Sequence, residues 1–185
     1  PESFAKETLV LPLDDLDALE DTFKQRADEI ACVIIEPVPA NNGLLLQRKS
    51  YLESLREMCT QYGVLLIFDE VISGFRVGFE GAAGRYSIQP DIITYGKIMG
   101  GGMPVGAYGA SNDIMSNVSP DGCVYQAGTL SGNPVAMAAG FTAATQLLES
   151  GFYENLEKTT QNFVAKIQGY CDDKDYEVNI STIAS

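Results

Sequence analysis

The chain has 185 residues, 45% of them hydrophobic, with 25 acidic against 12 basic side chains and a net charge of −13. That much apolar material supports a globular core and argues against disorder. No basic stripe exists to neutralise a phosphate backbone, which argues against nucleic acid as a partner, although backbone amides can still hold one bound phosphate.

The chain has no histidine, and its four cysteines, Cys32, Cys59, Cys123 and Cys171, form no CxxC pair. The common zinc sites and the Ser-His and Cys-His nucleophile systems therefore drop out, and no metal is expected. No apolar run approaches the roughly 18 residues that span a membrane, and the opening PESFAKETLVLPLDD lacks a signal pattern. Reduced thiols and a cytoplasmic location are expected.

Asp14 and Asp15 precede LDALEDTFKQRADEI, whose apolar spacing and acidic first turn predict a helix. ACVIIEP predicts a short buried strand closed by Pro37, and ANNG a turn. SYLESLREMCTQY predicts an amphipathic helix stopped by Gly63. The uninterrupted VLLIF predicts a strand of a parallel sheet covered on both faces. DIITYG, entered through Pro90, and VGAYGAS, after three glycines, predict two more strands.

Asn133-Pro134 opens a long alanine-rich helix, PVAMAAGFTAATQLLES, ended by Gly151. Residues 152–169 predict another helix, and YEVNIST alternates like a strand. Strands alternating with helices make an α/β fold with a mostly parallel sheet. Charge density rises after Gly151, so residues 1–150 are expected to form one domain and 151–185 to begin a second. The abrupt ends, and the few strands for so apolar a core, predict a fragment that is incomplete at both ends.

Chemistry concentrates in four segments. Asp69 closes the run VLLIFDE. A metal-binding carboxylate of an ATPase would need GxxxxGK[ST] elsewhere, and a ribose-binding one an earlier GxGxxG; both are absent. A simple helix or turn cap remains open for Asp69. Lys97 sits in TYGKIMGGGM, at the C-terminal end of a predicted strand, where α/β sites gather. No other charge lies nearby, and partial burial is expected to favour its neutral amine. A surface lysine beside a turn is the plainer alternative.

A lysine on a tight loop and a carboxylate at a strand end suit pyridoxal phosphate. The amine condenses with the cofactor aldehyde, and the carboxylate keeps the ring nitrogen protonated. AGTLSGNP offers the hydroxyls of Thr129 and Ser131 before a helix N-terminus, where an anion is favoured; capping by Ser131 or Asn133 explains the same residues. Asn41, in EPVPANNG, is placed to donate to a phenolic oxygen of a bound ring, and is equally a turn residue.

Together these segments resemble the class III, fold-type I pyridoxal-phosphate aminotransferases. EPVPANNG, LLIFDEVISGFRVGFEGAAGRY, PDIITYGKIMGGGMPVGAYG and YQAGTLSGNPVAMAAG look most like the glutamate-1-semialdehyde 2,1-aminomutase family. The resemblance runs from about Leu9 to Lys166. It implies the large cofactor-binding domain, with pyridoxal or pyridoxamine 5'-phosphate as cofactor and Lys97 as Schiff-base lysine and proton carrier. It also implies that Asp69 pairs with the ring nitrogen, Val71 packs on the ring face and Asn41 reaches the phenolic oxygen. Thr129 would bind the phosphate of a neighbouring subunit, so that a homodimer shares its sites.

The implied activity is conversion of glutamate-1-semialdehyde to 5-aminolevulinate, a tetrapyrrole precursor; another class III aminotransferase with a different amino or keto substrate is the alternative. The family's N-terminal phosphate cradle, substrate-carboxylate arginine and closing domain have no counterpart among these residues. The piece alone is therefore expected not to turn over substrate, and to aggregate or be ordered by pairing with another chain.

Overall fold

The computed structural model describes every residue from Pro1 to Ser185. Four strands, β1 (Cys32–Ile35), β2 (Leu65–Glu70), β3 (Ile92–Tyr95) and β4 (Ala107–Ala110), form one sheet in sequence order. β1, β2 and β3 run parallel, and β4 pairs antiparallel with β3. The reversal follows from the connection: parallel neighbours need a crossover of about a dozen residues or more, and Gly96–Gly106 holds only a 3-10 turn, Lys97–Gly100. The sheet is thus mostly parallel, as the alternation of elements predicts.

The helices are α1 (Glu2–Ala5), α2 (Leu16–Arg26), α3 (Lys49–Tyr62), α4 (Gly81–Tyr86), α5 (Asn112–Met115), α6 (Pro134–Leu147) and α7 (Phe152–Asp173). Their ends follow from local chemistry. The Asp15 carboxylate accepts from Ala18 N at 3.0 Å and caps α2. Gly63 ends α3 in the left-handed region at φ 70°. Asn133 Oδ1 accepts from Val135 N and Ala136 N, and Pro134 starts α6.

One face of the sheet carries the core. Leu19 and Phe23 of α2 and Leu52, Leu55 and Cys59 of α3 pack on Leu66 and Phe68 of β2, with Val64 and Ile88 closing the ends. Each such side chain contributes about 1.5–3 kcal/mol on burial. Arg56 of α3 and the backbone N–H of Leu66 both donate to Asp91 Oδ2 at 2.7 Å, tying the start of β3 to β2.

The opposite face differs from expectation. β2 alternates buried with half-buried residues, and Ile34 on the same side is 62% exposed. The apolar run of β2 is therefore packed on one face rather than two within this chain. The second departure is YEVNIST, where residues 176–182 form no strand. Alternation is a local property, whereas a strand needs a free edge in the right place, and no pairing is made there. α7 is amphipathic but buries only Cys171.

Candidate active site

The parallel register sets Asp69 opposite Thr94 and Glu70 opposite Tyr95. The chain therefore leaves β2 at Val71 and β3 at Gly96 side by side, at the C-terminal edge of the sheet, where open α/β sheets bind ligands. The Asp69 carboxylate is half-buried. Its Oδ1 accepts from Val71 N at 3.1 Å and from Thr94 Oγ1 at 3.2 Å, while Oδ2 makes no hydrogen bond in the chain. The turn contact foreseen as a plain alternative for Asp69 is thus present, and it occupies one oxygen.

Val71 packs against Gly96, since a Cβ built on Gly96 would lie 3.2 Å from Val71 Cγ1. Lys97 comes next, with φ +48°, a region that L side chains seldom adopt. Such outliers persist where the surroundings over-determine them, and they cluster at functional sites. The Lys97 side chain is exposed rather than partly buried, because the sheet edge around it is open. No carboxylate pairs with its amine.

Helix α6 seats the lysine turn. A Cβ on Gly140 would lie 2.5 Å from Met99 O, and one on Gly101 would overlap Ala139 O, so turn and helix meet backbone to backbone. Gly101, at φ +57°, also needs the glycine for its conformation. Gly140 was not among the residues singled out from sequence; an isolated glycine inside an alanine-rich helix was the signal for it.

Glu70 was also missed. Its carboxylate is fully buried and accepts from Ser73 Oγ (2.9 Å), Ala82 N (2.7 Å) and Ala83 N (2.8 Å). Ala82 and Ala83 are the second and third residues of α4, whose own N-cap position, Glu80, supplies no side-chain bond. Glu70 therefore caps α4 from the sheet. It fixes the 71–80 segment, in which Gly74 lies against the Tyr95 ring and Phe75 O accepts from Tyr153 Oη at 3.1 Å. Burial, and secondarily the charge of Glu70, push the Tyr95 phenol above its ordinary range.

Asn41 and Thr129 stand apart from this cluster. Asn41 lies on an exposed turn after β1, closed by Leu45 N donating to Pro39 O at 3.0 Å, at the same sheet edge as Asp69. Thr129 is exposed in a turn where Ser131 N donates to Gly128 O at 3.0 Å, and no hydrogen bond joins it to Lys97 or Asp69. Capping of α6 falls to Asn133 and not to Ser131, which leaves both hydroxyls uncommitted. A cavity of about 1100 Å³ between α4, β3 and β4 and an apolar one of about 230 Å³ under the lysine turn include neither Asp69 nor Lys97 in their linings. The candidate site is an open edge.

Residues 5–182 match the model of the aminotransferase class-III family. The chain belongs to that family. It is 54% identical over 160 residues to the glutamate-1-semialdehyde 2,1-aminomutase of Desulforudis audaxviator, covering 86% of this chain and 37% of that protein. It is 50% identical over 185 residues to the protein of the same name from Nitratidesulfovibrio vulgaris, covering 100% of this chain and 44% of that one.

Among solved structures, an omega-transaminase from Sphaerobacter thermophilus superposes with a TM-score of 0.93 at 35% identity, over 100% of this chain and 42% of its own. The chain thus spans less than half the length of the relatives it matches. The mostly parallel sheet with flanking helices is that of the fold-type I pyridoxal-phosphate transaminases. No helix is long and apolar enough to cross a membrane.

Proposed function

We propose that this chain is part of the large cofactor-holding domain of a pyridoxal-phosphate enzyme, and that the whole protein converts glutamate-1-semialdehyde to 5-aminolevulinate. The carrying observation is the convergence at the ends of β2 and β3: an unpartnered Asp69 Oδ2, a valine against Gly96, and a backbone-strained, unpaired Lys97.

The residues present fit pyridoxal or pyridoxamine 5'-phosphate. Asp69 Oδ2 is free to hold a proton on a pyridine nitrogen. Val71 offers an apolar surface to a ring, and Asn41 has a free amide for its phenolic oxygen. The Thr129 hydroxyl suits the phosphate of a partner subunit. The cofactor, when bound, supplies the electron sink and exchangeable amine that side chains lack. Lys97 would be its attachment point, and the amine would carry a proton between the substrate carbon and the cofactor carbon, taking it up and giving it back.

A homodimer in the cytoplasm belongs to the same reading. In its support, the apolar helix that follows Thr129 leaves Val135, Met137 and Phe141 exposed, Phe141 by 76%. Residues 151–185 are read as the start of the small domain, since α7 leaves Phe163 and Tyr170 uncovered. A class III aminotransferase with another amino or keto substrate is the second reading, favoured by the likeness to an omega-transaminase. The higher identity to proteins named aminomutases favours the first.

The test is borohydride reduction of the full-length polypeptide loaded with pyridoxal phosphate, followed by peptide mapping. The adduct is expected on Lys97 and absent from Lys97→Ala, which should lose several orders of magnitude in turnover of the semialdehyde. An adduct on another lysine would overturn the assignment.

A further inference from the structure

We propose that Thr94 is a positioning residue that acts through Asp69, holding the carboxylate so that one oxygen, Oδ2, is left to accept a ring-nitrogen proton. This inference rests on the cofactor reading above. Asp69 and Thr94 face each other across the β2–β3 register, so their side chains emerge on the same face of the sheet. The Thr94 hydroxyl donates to Asp69 Oδ1, which already accepts from Val71 N.

The physical reason lies in torsional freedom. A carboxylate turns easily about its last side-chain bond, because that torsion has broad minima. One backbone donor from Val71, two residues along the same chain, leaves much of that rotation open. A second donor on the same oxygen, arriving from the neighbouring strand, removes it. Threonine is suited to this because its β-branched side chain is stiff at χ1. The strand itself does not call for the hydroxyl, since valine is at least as good a strand former. Thr94 is half-buried rather than sealed, so its hydroxyl is not forced onto the carboxylate for want of water.

The experiment uses the full-length polypeptide and reads equilibrium affinity for pyridoxal phosphate by absorbance titration, with borohydride mapping of Lys97 alongside. Thr94→Val is expected to weaken affinity by roughly three- to tenfold, the share of one ordinary, part-exposed hydrogen bond. Thr94→Ser, which keeps the hydroxyl, should restore it. In an Asp69→Ala background, Thr94→Val should add no further loss, because the residue acts through the carboxylate. If Thr94→Val does not fold, Thr94→Ala against Thr94→Ser gives the same comparison.

Wild-type affinity in Thr94→Val with Lys97 labelled normally would overturn the role of Thr94 while leaving the cofactor reading intact. An equal loss in the Asp69→Ala background would overturn it as well. Absence of any Lys97 adduct in the wild type would overturn the cofactor reading and this inference with it.

Discussion

Replacing Glu70 by alanine would strip the first turn of α4 of its acceptor and uncouple the 71–80 segment from the sheet. Three donors lose their partner: Ser73 Oγ, Ala82 N and Ala83 N, at 2.7–2.9 Å. Ser73 and Ala82 are buried, at 1% and 0% exposed, so water does not replace the carboxylate there; Ala83 is half-buried and can be rehydrated. Each buried donor left unmet costs about 1–3 kcal/mol. Two of them, with the void left by the side chain, give about 3–5 kcal/mol, in line with breaking other buried charged contacts.

Glu70→Gln should cost about half as much. Its amide oxygen replaces one carboxylate oxygen, but its NH₂ group then confronts a backbone N–H. The assay is amide hydrogen exchange in peptides spanning residues 71–86 of the full-length polypeptide, which reads local opening directly. Glu70→Ala should accelerate exchange at Ala82 and Ala83 by about 10²–10⁴-fold, with tenfold for each 1.4 kcal/mol. Acceleration of less than tenfold would refute the idea that the strand carboxylate is what holds this helix. Because the same segment carries Val71 and lies on Tyr95, weaker cofactor binding should accompany the loss.

Glycine to alanine in a helix interior ordinarily adds up to about 1 kcal/mol of stability; Gly140→Ala is expected to lower the thermal midpoint instead, because its Cβ would meet Met99 O at 2.5 Å. A raised midpoint would show that the lysine turn yields. Gly140→Val should go further in the same direction, by about 1–3 kcal/mol of overpacking. Burial pushes the Cys59 thiol up to about 11, so it stays neutral below that pH and becomes more reactive as pH rises. At pH 8 about one molecule in a thousand carries the thiolate, and iodoacetamide should label exposed Cys123 while sparing Cys59. Comparable labelling rates at both, read by peptide mass spectrometry, would contradict the burial.

Much of the framework was legible because it is written in short-range chemistry. Asp15, Gly63 and Asn133-Pro134 mark helix ends by capping a few neighbouring residues, and the structure has helix boundaries at those points. The apolar runs before Asp69 and Lys97 mark strands that end at the sheet edge. YEVNIST misled because alternation describes a strand's faces without providing it a neighbour.

The sequence by itself determined the α/β class, the helix caps, and the placing of Asp69 and Lys97 at the ends of apolar strands. The tertiary structure alone decided which oxygen of Asp69 is left free, that Val71 lies against Gly96, and that Lys97 is strained and exposed. It also decided that α4 takes its cap from Glu70 and that the lysine turn rests on Gly140. The physical reason is reach. A cap or an apolar period acts within a few residues, whereas Thr94 meets Asp69 only after β2 and β3 have paired in one register, since a slip of one residue would turn the two side chains to opposite faces.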